Sequence, residues 1–247
     1  MKTISSRQNS IIKHITQLHL TKYRTAHREF IAEGLRVCST LIKAGQELKN
    51  LLVTTSMLTD AQKLVSDDHI TQVTDEVMTK ISTTKSPSGI LGVFVMPTTP
   101  PLNQLGSGAV LAHITDPGNM GTLIRTSAAM GKKTVVVIEG VDPWSPKVIH
   151  ASAGTIGLVH IFQMSWNQLI QHKKNLSLCA LVVSNGQPPA EVDLKNTLLV
   201  IGNEAHGIPE DWVQQCDIRL TLPMPGKTES LNAAVAGSIA LYLAFAP

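Results

Sequence analysis

An α/β protein of two domains, the second built on a mostly parallel sheet, is what this sequence predicts. Two observations carry that expectation. Beyond residue 108, short apolar runs alternate with helix-compatible stretches, the pattern of strands buried on both faces beneath crossover helices. Just before that, Pro97-Thr-Thr-Pro100-Pro101-Leu-Asn-Gln-Leu-Gly106-Ser-Gly108 breaks every regular element, which marks a linker. Residues 1–96 are therefore one expected domain, 97–108 the linker and 109–247 the second domain. With 247 residues and 43 % hydrophobic content, the chain can build a core in each.

Taken in order, Asn9–Leu20 places Ile11, Ile12, Ile15 and Leu18 at helical spacing with lysine and histidine between them. Phe30–Gly34 reads as a short strand, and Leu35–Ala44 as a helix closed by Gly45. Leu51–Thr54 and Gly92–Val95 read as further strands. After the linker, strands are expected at Val110–Ile114, Thr134–Ile138, Leu158–Phe162, Leu178–Val183, Leu198–Ile201 and Ile218–Leu222. Helices are expected at Gly121–Met130, Trp166–Lys173, Pro209–Gln215 and Ser230–Phe245. The run Ala233–Ala246 is almost wholly apolar, yet at about 14 residues it falls short of the roughly 20 that span a bilayer. It reads as a buried core helix.

Charge is uneven. Residues 1–100 carry 12 Lys/Arg against 8 Asp/Glu, and residues 101–247 carry 9 against 10. No acidic residue precedes Glu29, whereas Arg7, Lys13, Lys22, Arg24 and Arg28 do, with His14, His19 and His27 among them. A basic end on a weakly acidic body points to a polyanion partner, although a solvated helix face would look the same. The polar N-terminus has no secretory signal, and three scattered cysteines suit a reducing cytosol. Other chemistries lack their residues. No G-x-G-x-x-G supports a dinucleotide site, and Gly226-Lys227-Thr228 lacks the first glycine of a phosphate loop. Neither zinc-ligand spacing nor a G-x-S-x-G elbow occurs.

Three segments remain, each following an apolar run: Asp116-Pro-Gly-Asn119-Met-Gly121-Thr-Leu-Ile-Arg125, Gly202-Asn203-Glu204-Ala-His-Gly207 and Leu222-Pro-Met-Pro-Gly226-Lys-Thr-Glu-Ser230-Leu231-Asn232. Ligands collect at the carboxyl ends of parallel strands, where all three fall. In the first, a turn opens a helix whose free N–H groups suit a phosphate, with Arg125 one and a half turns in. Asn119 as a simple helix cap is the plainer alternative. In the second, Gly202 permits close backbone approach and Glu204 offers a carboxylate, or merely ends a turn. In the third, two prolines exclude a regular ladder, and Ser230 is expected to cap the following helix with Asn232 in its first turn.

Together the three segments resemble the signature motifs of the SpoU family of RNA ribose 2′-O-methyltransferases, within the SPOUT superfamily. The first hundred residues, through Phe30-Ile-Ala-Glu33-Gly34 and the basic residues before it, resemble that family's N-terminal substrate-binding domain. The resemblance implies a C-terminal domain with a deep trefoil knot, S-adenosylmethionine as methyl donor, RNA as substrate and a homodimer in the cytoplasm. No metal and no membrane are implied. Arg125, Asn119, Glu204, Ser230 and Asn232 match catalytic and RNA-facing positions. Gly202, Leu222, Met224, Gly226 and Leu231 match the donor-binding segments, and Arg7, Lys13, Lys22, Arg24 and Arg28 are the expected RNA contacts. Arg125 is expected to steady the developing oxyanion, held by Glu204, with Ser230 and Asn232 positioning it or the ribose. One departure is His150, where the family carries arginine. Ribosomal RNA is favoured over tRNA by the two-domain layout. A knotted methyltransferase acting on a base nitrogen, or a ribosome-assembly factor without catalysis, are the alternatives.

Overall fold

The computed structural model describes residues 2–226 and 230–245; Lys227, Thr228 and Glu229 of the third segment and the end of the apolar run lie outside the described residues. The chain divides into two compact units. The first runs to Thr98 and also takes in Trp144–Gly157, and the second holds Thr99–Pro143 and the chain from Leu158 onward. The stretch Trp144–Gly157, within the span expected for the second domain, groups here with the first unit. Its anchor is Trp144, 6 % exposed, whose ring packs on Phe30 at 5.1 Å between centroids.

The first unit comprises β1 (Lys2–Ile4), α1 (Ser10–Gln17), α2 (Thr21–His27), β2 (Glu29–Glu33), α3 (Leu35–Lys43), β3 (Leu48–Val53), α4 (Leu58–Gln62), β4 (Ile70–Val73), α5 (Asp75–Ile81) and β5 (Ile90–Val95). Its sheet runs β1-β4-β3-β5-β2, with β1, β4 and β3 mutually parallel and β5 antiparallel to both its neighbours. Helix α1 forms as its spacing predicts. Asn9 caps it by accepting from the Ile11 N–H at 2.9 Å, and Ile12 and Ile15 are buried against Leu52 and Val77. α7 (Pro146–Ala151), capped by Ser145, packs against β2 in the same unit.

The second unit carries β6 (Gly108–Ala112), α6 (Pro117–Ala129), β7 (Thr134–Ile138), β8 (His160–Gln163), α8 (Trp166–His172), β9 (Ser177–Leu181), β10 (Thr197–Ile201), α9 (Glu210–Gln214), β11 (Ile218–Leu220) and α10 (Ala233–Phe245). All six strands are parallel, in the order β11-β9-β10-β6-β7-β8. Every residue of β6, β7 and β10 is buried, which explains their unbroken apolar sequence. β8 starts later than expected because Thr155–Leu158 winds into a single helical turn first. The chain lays β7 and β8 to one side of β6 and then crosses to β9, with β10 returning between them. The carboxyl ends of β6 and β10 therefore sit side by side where the strand order reverses, the position at which open α/β sheets bind ligands.

Candidate active site

The turn after β6 leads straight into α6. Asp116 caps the helix by accepting from the Asn119 N–H at 2.8 Å, and Pro117 occupies the first turn, where no N–H is needed. The plainer alternative, Asn119 as the cap, does not hold, and one N–H expected to be free for a phosphate is already taken by a carboxylate. The Asn119 side chain turns elsewhere. Its Nδ2 donates to Glu204 Oε1 at 2.9 Å, and its Oδ1 accepts from Asn232 Nδ2 at 3.1 Å. An ionised carboxylate only accepts, so the Asn119 amide has one possible orientation.

Glu204 follows the end of β10. Its carboxylate also accepts from the Thr115 N–H at 3.3 Å, the Thr115 hydroxyl at 3.1 Å and the Asp116 N–H at 3.2 Å. Partial burial alone would raise its pKa, but these donors outweigh that cost and hold it below the usual carboxylate range. Glu204 is thus an anion at neutral pH that ties the ends of β6 and β10 together. It does not hold the guanidinium of Arg125, as had been expected. Arg125 is exposed on α6, and no hydrogen bond or ion pair joins it to another described residue.

The Gly202–Gly207 turn is pinned by Asn203. Its backbone exchanges two 3.0 Å hydrogen bonds with Gly207, and its Nδ2 donates to the His113 carbonyl at 2.8 Å. A Cβ at Gly202 would lie 2.3 Å from the Gly207 carbonyl carbon, so the glycine is demanded by this turn itself. In the third segment, Asn232 rather than Ser230 caps α10. Its Oδ1 accepts from the N–H groups of Ala234 at 2.9 Å and Val235 at 3.2 Å, leaving its Nδ2 for Asn119. One asparagine can do both because its amide is acceptor at one end and donor at the other.

Beside this network lies a cavity of about 340 Å³ between the ends of β9 and β10 and the irregular chain around Leu222. Gly202, Leu222, Met224 and Leu231 line it, together with Glu204 and Ser230. Gly226 does not; it is exposed at the edge of the described chain. Asn119, Arg125 and Asn232 are absent from the lining; Asn119 connects to it through its hydrogen bond to Glu204 and Asn232 through Asn119, whereas Arg125 has no such link. The wall from Leu181 to Val183 was not anticipated, nor were His206 and Ala236. A strand was expected over the first of these, but an apolar strand end without polar residues gives no sign of a ligand. Apolar walls with exposed backbone and few polar side chains suit a flat heteroaromatic ring joined to a polar tail, which S-adenosylmethionine is.

Comparison with known proteins bears on the chain as a whole. The profile described as the SpoU rRNA Methylase family matches residues 108–242. The chain belongs to the SpoU family. A profile described as the MRM3-like substrate binding domain matches residues 9–92. The chain is 31 % identical to an uncharacterized tRNA/rRNA methyltransferase of Synechocystis sp., over 97 % of this chain and 92 % of that protein. It is 27 % identical to the 23S rRNA (guanosine(2553)-2'-O)-methyltransferase RlmP of Bacillus subtilis, over 98 % of both. Among solved structures, the AdoMet-bound rRNA methyltransferase from Sinorhizobium meliloti superposes with a TM-score of 0.87 at 27 % identity, covering 98 % of this chain and 97 % of that one.

The basic residues of this SpoU protein's first unit have unlike surroundings. Lys13 and Lys22 are exposed on α1 and α2. Arg7 follows β1 and adds its charge to the donors that lower the Glu76 pKa, of which the Thr74 hydroxyl is the foremost. Arg28 donates to the Met96 and Pro97 carbonyls. Arg24 is a correction: it is 1 % exposed, and its guanidinium donates to the carbonyls of Leu18 and His19 and to the Thr21 hydroxyl, each at 2.8 Å. It closes the carboxyl end of α1 and has no surface to offer RNA. His150 is exposed on α7, within the grouping of the first unit. All three cysteines are free, and burial pushes each thiol up to about 12, so none is a ready nucleophile. Among the described residues, no group of three or more His, Cys, Asp and Glu could hold a metal ion, and no helix is long and apolar enough to cross a membrane.

Proposed function

We propose that this SpoU enzyme transfers a methyl group from S-adenosylmethionine to a ribose 2′-hydroxyl of ribosomal RNA. One observation carries the reading. The chain Asn232→Asn119→Glu204 joins three segments far apart in sequence into a single hydrogen-bonded unit beside a cavity of about 340 Å³. The names of its relatives supply the acceptor class.

Gly202, Leu222, Met224 and Leu231 hold the donor, which supplies an already activated methyl group when bound. The chain's own residues must then align the nucleophile and accommodate its charge. Arg125 offers a guanidinium, a delocalised cation that makes a poor base. Exposed and without a partner among the described residues, it is available to a backbone phosphate and to negative charge growing on the 2′-oxygen. The proton leaves to water or to a phosphate oxygen. Glu204 acts at one remove, fixing the loop from Thr115 to Asn119 from which α6 carries Arg125. Ser230, at the cavity's edge, orients the ribose, and Asn232 sets Asn119.

The family also implies a trefoil knot and a homodimer. The dimer finds support on α10. Ala234, Gly237, Ala240 and Leu241 are buried, yet Val235, Ile239, Tyr242 and Leu243 are 41–59 % exposed on the same helix. A helix apolar on every side needs a cover for its outer face, and a second copy of this face supplies it. A cytosolic site of action follows from a ribosomal RNA substrate. Mapping of 2′-O-methyl groups in ribosomal RNA and tRNA from cells with and without this protein tests the reading. One ribosomal 2′-O-methyl should vanish with the protein; an unchanged ribosomal map would contradict it.

A further inference from the structure

We infer that α1 and α2 form a stacking platform for an unpaired RNA base, built on Tyr23 and His27 and flanked by Lys22. The inference rests on the RNA methyltransferase reading and says where in the first unit the RNA is gripped.

The platform is a continuous line of contacts from buried acid to exposed cation. Glu29 opens β2 with its side chain 8 % exposed, and its carboxylate is taken by His14 Nε2 at 2.6 Å and by the Lys49 ammonium. Those partners offset the burial that would raise its pKa and hold it below the ordinary carboxylate range. The first acid of the chain is thus neutralised from within and presents no charge to a phosphate. The His14 ring meets His27 edge-on, at 4.7 Å between centroids and 84° between planes. His27 in turn lies nearly parallel to Tyr23, at 6.4 Å and 9°, and the Lys22 ammonium sits 4.8 Å from the Tyr23 ring centroid. His27 and Lys22 are exposed and Tyr23 is partly so.

Such an arrangement is poor material for a core. The apolar face of α1 already fills the core through Ile12 and Ile15, and Arg24 fastens α2 to the end of α1 through two hydrogen bonds, to the Leu18 and His19 carbonyls. The rings of Tyr23 and His27 are left outside that core, parallel and beside lysine, with no acidic residue earlier in the chain. Aromatic faces next to cations are how proteins hold single-stranded nucleic acid, because a base offers its face only when unpaired. A duplex would engage the charges but not the rings.

The test uses the full-length protein, a fluorescent single-stranded RNA oligonucleotide, a fully paired RNA duplex of equal length, and a parallel titration with S-adenosylmethionine. His27→Ala and Tyr23→Ala should each weaken single-strand binding about tenfold. His27→Phe should restore it, duplex binding should barely change, and the affinity for S-adenosylmethionine should stay at the wild-type value. His27 is exposed, so its variants keep the fold even where Tyr23→Ala does not. Wild-type affinity in His27→Ala would overturn the platform, as would an equal loss for single strand and duplex. So would losses confined to Arg36→Ala and Lys85→Ala, which would move the grip to other exposed cations of the unit. A wild-type protein that methylates no RNA while the His27 effects hold would instead defeat the enzymatic reading and leave the platform standing.

Discussion

Glu33 and Glu204 perform the same local task in the two units, with different consequences. Each stands at or just past the carboxyl end of a strand, and each gathers hydrogen-bond donors from loop chain. Glu33, 8 % exposed, accepts from Ser82 Oγ at 2.7 Å, Thr83 N at 3.0 Å, Thr84 Oγ1 at 3.0 Å and Ser88 N at 3.4 Å. In both, desolvation is the leading influence and would raise the pKa, and the gathered donors bring it below normal. Glu33 spends all its donors on one loop, Ser82–Ser88. Glu204 reaches one step further, through Asn119 to Asn232, beside a cavity and on the loop that launches α6 toward Arg125. A carboxylate ringed by donors is architecture; Glu204 differs from Glu33 in that it also lines a cavity.

The largest effect that separates the two regions is expected at Arg125. Arg125→Ala should lower methyl transfer by about 10³-fold or more, while calorimetry finds donor affinity unchanged. Full turnover in that variant would remove the guanidinium from the mechanism. Next comes Glu204→Ala, which leaves the donors of Thr115, Asp116 and Asn119 unmet and lets the loop shift. Because misplacement by about 1 Å costs on the order of 10²-fold, single-turnover rates should fall by that much. Glu33→Gln should behave oppositely. It should cost roughly 1–3 kcal/mol in urea unfolding while leaving donor affinity intact, since its bonds only shape a loop. A Glu33 variant that lost donor binding would erase the distinction between the two carboxylates.

The smallest effect is in the pH dependence. A glutamate whose folded pKa is depressed contributes stability above its unfolded pKa of about 4.3, and that contribution is lost as pH falls through the folded value. The unfolding free energy of the wild type should therefore decline below about pH 4.3. Glu33→Gln should flatten part of that decline. Glu204 is more exposed and screened by water, so Glu204→Gln should flatten it less. Equal slopes for the wild type and Glu33→Gln would contradict the assignment.

Much of the second unit was legible because its signals are local. Unbroken apolar runs marked β6, β7 and β10, and three polar clusters after such runs marked the segments that meet at the candidate site. The expected roles shifted where a side chain had two options. Asp116 and Asn119 are both good caps, and only the fold shows that Asp116 takes the helix and frees Asn119. Ser230 and Asn232 pose the same choice, decided by the reach of Asn232 to Asn119. Elsewhere the signal was absent. β1 is three residues long with only Ile4 buried, too short for any period to register. The apolar cavity wall from Leu181 to Val183 looks like any buried strand end. Arg24 reads as one more cation of a basic stretch, and its burial depends on carbonyls left open at the end of α1. The grouping of Trp144–Gly157 with the first unit is a long-range packing event, made by Trp144 beside Phe30 and by α7 against β2.

The most direct test of the account is to incubate the protein with ribosomal RNA and methyl-labelled S-adenosylmethionine, then hydrolyse the RNA in alkali. A methyl on the 2′-oxygen blocks cleavage of the following phosphodiester, so the label is predicted to appear in an alkali-resistant dinucleotide. Label recovered in a mononucleotide carrying a methylated base would contradict ribose methylation.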